Sequence, residues 1–162
     1  MERKLKPKVC YVAGLCSKNT EQERNAVGVR TSVKEIEQRF IEIALTEFGI
    51  EPSKILVRDE INHVHVFFYH SRVAKQLKKL VSRETIIFKR RNEFAASYVA
   101  GMFDAAGHES NGALSINGVN ASDQLMLQNL GVHTLNGRIL NARQLVELIK
   151  GRSIMLQRIK LQ

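Results

Sequence analysis

An internal repeat constrains this chain more than any other feature. Tyr11-Val12-Ala13-Gly14-Leu15 recurs as Tyr98-Val99-Ala100-Gly101-Met102, 87 positions later. Two further matches follow in the same order. Phe48-Gly49-Ile50 pairs with Leu130-Gly131-Val132, and Ala74-Lys75-Gln76-Leu77-Lys78-Lys79-Leu80 pairs with Ala142-Arg143-Gln144-Leu145-Val146-Glu147-Leu148. The offset shrinks from 87 to 82 to 68, so the second copy has lost residues, mostly between its middle helix and its last one. Three matches in order read as a duplicated unit. In a chain of 162 residues neither copy can bury its own sheet, so both belong to one pseudo-symmetric body. The expected division is 1–88 and 89–162.

Each unit reads as an α+β arrangement, α-β-α-β-β-α, with one further strand before Val27 left open. In the first, a helix covers Val9 to about Asn19, and Asn25–Thr31 alternates polar and apolar residues as a half-buried strand does. Ser32 is the expected cap of a helix striped with Ile36, Phe40, Ile43, Ala44 and Phe48, which stops at Gly49. Lys54–Arg58 and Asn62–Tyr69 form a hairpin turned at Asp59-Glu60-Ile61, and Ser71 caps a last helix. The basic side of that helix (Arg72, Lys75, Lys78, Lys79) reads as solvated surface. In the second unit a helix spans about Glu93 to Ala106, and Gly112–Gly118 is a strand. Asn120 or Ser122 caps a helix ending at Gly131. Val132–Asn141 is a hairpin on Asn136-Gly137, and Ala142–Lys150 is the closing helix.

Both first helices carry Ala-Gly at their centre, although Gly in a helix costs about 1 kcal/mol relative to Ala. Small residues repay that cost where two helix backbones must touch. Ala13-Gly14 facing Ala100-Gly101 would pack the helices on a pseudo-twofold axis, with both C-terminal ends emerging together.

Val12-Ala13-Gly14-Leu15-Cys16-Ser17-Lys18-Asn19-Thr20 and Val99-Ala100-Gly101-Met102-Phe103-Asp104-Ala105-Ala106-Gly107 resemble the two LAGLIDADG motifs of single-chain homing endonucleases, the first in degenerate form. The resemblance runs from about Lys8 to Leu156, with strand, long helix, hairpin and basic helix in that family's order. It implies two sheets forming a saddle along the DNA major groove. It also implies a carboxylate at the eighth position of each motif, holding the divalent metals that activate water. Those positions are Asn19 and Ala106, and neither is an acid. Asp104 and Glu109 are the candidates for rescue, with Glu21 and Glu23 shortly after the first helix. Asp104, however, lies two positions from the metal position, about 200° around the helix.

The resemblance therefore implies a double-stranded DNA-binding protein that has lost cleavage, with no catalytic residue and no cofactor. Mg²⁺ enters only if the chain is an active or weakly active nuclease. Structured RNA is an alternative ligand, as for relatives that assist splicing. A protein-interaction role for the apolar second half is another. The formal charge of +9 agrees with a polyanionic partner. Expected contacts are Arg30, Lys54, Arg58, His63 and His65 on the first saddle half, with Arg24 ahead of it and Arg138 on the second hairpin. The basic arm Arg3-Lys4-Lys6-Lys8 and Lys89-Arg90-Arg91 would hold phosphates at the edges. No Lys or Arg occurs from Phe94 to Gly137, so the second half offers mainly Asn111, Ser115, Asn117 and His133.

Other chemistry finds no support. Cys10 and Cys16 cannot pair across one helix and read as buried thiols. His63 and His65 share a strand face but lack a third metal ligand. No phosphate-binding loop, nucleophile elbow, signal peptide or apolar run of membrane-spanning length is present. An intracellular, unsecreted monomer without membrane contact is the expectation.

Overall fold

The computed structural model describes residues 4–19 and 21–160. Arg3 of the basic arm and Thr20 of the first motif lie outside the described residues. Helix α1, Pro7–Lys18, opens on a proline at its first position, where the missing N–H costs nothing. Strand β1, Ala26–Thr31, and helix α2, Lys34–Thr46, follow. After a single 3₁₀ turn at Pro52–Lys54 come β2, Leu56–Asp59, β3, Val64–Tyr69, and α3, Ser71–Ser82. A short helix α4, Glu84–Ile87, leads to α5, Glu93–Ala106. The second set is β4, Gly107–Ser110; β5, Ala113–Ile116; α6, Ala121–Asn129; β6, Thr134–Leu135; β7, Arg138–Ile139; and α7, Ala142–Ile149. Helix α8, Ile154–Lys160, closes the described chain.

All strand pairs are antiparallel, in one sheet ordered β1-β3-β2 and another ordered β4-β5-β7-β6. The further strand left open before Val27 occurs instead in the second unit, as β4, directly after α5. In the first unit the outer edge of β1 is closed by side chains. Asn19 Oδ1 accepts from the Arg30 backbone N–H at 3.3 Å, and Cys16 Sγ lies 3.8 Å from the Gly28 carbonyl. Those groups would otherwise be an unpaired sheet edge.

Local expectations shift by a residue or two where capping chemistry differs. Ser32 does not cap α2; Val33 holds the cap position, and Thr31 Oγ1 accepts from its N–H at 3.0 Å. His70 rather than Ser71 caps α3, its Nδ1 accepting from the Val73 N–H. Asn120 caps α6 in a reciprocal box with Asp123. The first hairpin turns later than expected, with the Glu60 N–H donating to the His63 carbonyl, so Asp59 belongs to β2 and Lys54 precedes it. The second hairpin turns on Asn136-Gly137, at φ 52° and 82°.

The core is organised about the crossing of α1 and α5. Tyr11, Val12, Ala13, Leu15, Tyr98, Val99, Ala100 and Met102 are all buried there. A Cβ placed on Gly14 would lie 2.0 Å from the Tyr98 carbonyl oxygen, and one on Gly101 would lie 2.1 Å from the Tyr11 carbonyl oxygen. Each glycine thus seats the other helix's backbone, and the contact is reciprocal at the same offset of 87. Each sheet then buries its inner face against its own helices. On β3, Val66 and Phe68 face α2, where the Phe68 ring stacks with Phe40 at 5.9 Å.

Because the clash is with backbone, no rotamer change relieves it. Gly14→Ala should lose about 3 kcal/mol of stability by forcing the helices apart. Gly101→Ala should lose a similar amount, measured as a drop in the urea midpoint; a midpoint unchanged in both variants would contradict the close crossing.

Candidate nucleic-acid interface

The outer face of the first sheet carries a charged row. Arg30, His65 and Arg58 are register partners across β1, β3 and β2, so they share one face. Alternation along β3 adds Phe67 and Tyr69 to that face. His65 stacks on Phe67 with ring centroids 4.3 Å apart, Tyr69 meets Phe67 edge-on at 5.7 Å, and the Arg58 guanidinium lies over Phe67 at 5.3 Å. Flat rings and a stacked guanidinium make a stiff platform.

Two acids reach into this row. Glu21 Oε1 lies 2.8 Å from His65 Nε2 and 3.6 Å from Arg30 Nη1. Glu60 lies 2.6 Å from His63 Nε2, 3.9 Å from His65 Nδ1 and 4.0 Å from Arg30 Nε. His65 is consequently only 3% exposed and presents no edge to a ligand. It lies within the row, sharing Glu21 with Arg30 and stacking on the Phe67 ring that Arg58 covers. Among the expected contacts, Arg30, Arg58 and His63 stay within reach of solvent, while Arg24 and Lys54 are exposed in the turns before β1 and β2.

The second sheet has a matching row that is nearly uncharged. His108, Ser115 and Arg138 are register partners across β4, β5 and β7. His108 goes unrecognised in the sequence because residues 107–111, between the expected helix and the expected strand, carry no alternation that marks an element. Lys6, Lys8, Arg90 and Arg91 lie elsewhere, at the N-terminal ends of α1 and α5. That end is about 18 Å along the axis from Asn19, at 1.5 Å per residue. Arg91 is also occupied, donating to the Leu130 carbonyl at 2.8 Å, where α6 ends.

The C-terminal ends of α1 and α5 are where the resemblance implies metal. Asn19 donates its amide to the Leu15 carbonyl and accepts from Arg30, so both ends of its side chain are engaged. Asp104 is buried and saturated. It accepts from Tyr11 OH and Ser153 Oγ, each at 2.6 Å, and from the Ile154 and Met155 N–H groups that begin α8. Glu109 accepts from the Gly112 N–H in the β4–β5 turn. Among the described residues no group of three or more His, Cys, Asp or Glu side chains is placed to hold a metal ion. The donor set does not fit a hard divalent cation.

A proton-sharing network occupies the space beside the first motif instead. Ser17 stands where the second motif has Asp104, and the carboxyl that Tyr98 bonds comes from Glu84, at 2.6 Å. Glu84 also bonds Asp123, which pairs with Lys18; that lysine donates to the Gly118 carbonyl at 2.9 Å. Burial first, then the Asp123 carboxylate, pushes the Glu84 carboxyl up to about 7. Burial likewise pushes both Cys10 and Cys16 up to about 12, so the thiols are unreactive near neutral pH.

The raised Glu84 has a definite stability signature. At low pH the folded and unfolded chains both hold the proton. As pH rises from the ordinary value of 4.5 towards 7, the unfolded chain ionises first and stability falls; above about 7 it levels off. Glu84→Gln should flatten that decline in melting temperature and raise the melting temperature above pH 7. A wild-type profile without a decline between pH 4.5 and 7 would contradict it.

No family model matches the chain. A stretch of 131 residues is 34% identical to part of a catalogued component of the A-type ATP synthase of Methanopyrus kandleri, taking in 76% of this chain and 13% of that protein. The chain thus spans about an eighth of that relative's length. Among solved structures, the homing endonuclease I-DmoI in complex with DNA and Ca superposes with a TM-score of 0.70 at 12% identity, covering 96% of this chain and 98% of that one. I-DmoI with DNA and Mn gives 0.68 at 13% identity, covering 90% and 97%. The N-terminal LAGLIDADG domain of DUF199/WhiA gives 0.63 at 14% identity, covering 96% and 87%. These likenesses establish the fold: the chain is an α+β body of the LAGLIDADG homing-endonuclease type.

Proposed function

We propose that this chain is a duplicated, monomeric double-stranded DNA-binding module that no longer cuts, its halves dividing at 1–88 and 89–162. The observation that carries the reading is the row Arg30, His65, Arg58 on the solvent face of the first sheet, set on a fold whose solved examples include DNA complexes. Arginines projecting from a twisted sheet suit guanine edges in the major groove and the flanking phosphates. Arg30, Arg58 and His63 supply the contacts, His65 positions Arg30 through Glu21, and Arg24, Lys54 and Arg138 add phosphate contacts. With its single arginine, the second half would follow the groove mainly by shape and polar contact, so binding is lopsided.

Cleavage is absent on this reading because Asn19 and Ala106 replace the acids the reaction requires, and the nearby carboxylates are committed elsewhere. The match takes in 13% of the A-type ATP synthase relative, so that protein's activity is not carried over to this chain.

Fluorescence anisotropy with a randomised duplex pool, followed by the selected site, should show affinity falling steeply with salt. Arg30→Ala and Arg58→Ala should each weaken the selected site by about 1–3 kcal/mol and relax preference at one base pair. Bound DNA should stay intact with Mg²⁺ or Mn²⁺. Cleavage would restore the nuclease reading, and tighter binding to structured RNA than to any duplex would replace the DNA reading.

A further inference from the structure

A second basic site lies beside the crossed helices, away from the two sheet rows. A cleft of about 360 Å³ opens between the start of α1, α2 and the α7–α8 turn, lined by Lys8, Tyr11, Arg39, Glu42, Ser97 and Arg152. Arg39 Nη1 donates to the Arg152 backbone carbonyl at 2.5 Å, and its guanidinium lies over the Tyr11 ring at 5.1 Å. Arg152 Nη1 donates to Ser97 Oγ at 3.3 Å. Each guanidinium has five N–H donors, so these bonds fix the heads in place and leave most donors free for a ligand.

The charges around the cleft do not cancel. Asp104 is the nearest buried carboxylate to Arg39, but it stands 4.0 Å away and already accepts four hydrogen bonds. Among the described residues neither Lys8 nor Arg152 has a carboxylate partner, and Glu42 is the single acid on the cleft wall. The first turn of α1 also has no acidic residue and no side-chain cap at its free N–H groups. Arg39 and Arg152 are each pinned by a hydrogen bond on the wall of one cleft, and like charges so placed repel unless an anion joins them. A fork of planar donors suits a tetrahedral oxyanion.

We propose that this cleft binds a phosphate group through Arg39, Arg152 and Lys8. The phosphate has two possible sources, free phosphate or the backbone of a second nucleic-acid segment. Lys8 stands eleven residues before Asn19 on α1, about 16 Å along the axis, and no residue of the cleft belongs to the row Arg30, His65, Arg58 on the first sheet.

Inorganic phosphate is titrated into the full chain by calorimetry at constant ionic strength, with chloride as the matched control. Saturable binding is expected in wild type, weakened about tenfold or more in Arg152→Gln and in Lys8→Ala. Lys8 is exposed, so its variant keeps the fold should Arg152→Gln not. Arg30→Ala on the sheet should leave phosphate binding unchanged, which separates this site from the DNA reading. A 5′-phosphorylated tetranucleotide that displaces phosphate, and loses affinity in Arg152→Gln, identifies the source as backbone; failure to displace identifies free phosphate. Phosphate binding no better than chloride, or equal in wild type and both cleft variants, overturns the proposal.

Discussion

Two helix backbones in direct contact set the geometry of everything else. Gly14 accepts the Tyr98 carbonyl where a side chain would stand, and Gly101 accepts the Tyr11 carbonyl. The spacing of α1 and α5 is therefore fixed by peptide groups, which cannot repack as side chains do. The sheets, each packed on its own side of that crossing, inherit their relative placement. The centre of the fold therefore has no hinge.

Positions related by the offset of 87 are used differently on the two sides of the crossing. Tyr11 bonds the motif acid Asp104, whereas Tyr98 turns to Glu84 because Ser17 stands at the matching place. Asp104 serves to start α8; in the other half, Lys18, Asp123 and Glu84 join α1, α6 and α4 in one buried polar network. Asn19 and Asp104, at the ends of the two helices, are both taken up in internal bonding. Charge follows the same division, with arginines on the first sheet and a near-neutral row on the second.

The repeat made the architecture legible, because a glycine that costs helix stability at two matching positions has few explanations other than a close crossing. Strand alternation located Arg30, and hairpin position located Arg58, on one face. What stayed hidden depended on distant partners. The acids Glu21 and Glu60 come from turns, and no periodicity ties them to His65. Strand β4 follows α5 without a break, so His108 gave no signal of its own. Helix α8 is started by a carboxylate some 50 residues earlier, and Ser32 and Ser71 lost their capping roles to neighbours.

Asn19 closes the exposed margin of β1 and also the end of α1, one half of its amide donating and the other accepting. An aspartate there could still accept from Arg30. It would, however, turn a bare oxygen towards the Leu15 carbonyl and set a negative charge at the negative pole of the helix. A carboxylate at that point would therefore loosen the junction of helix and strand, so the amide is what lets one side chain serve both elements.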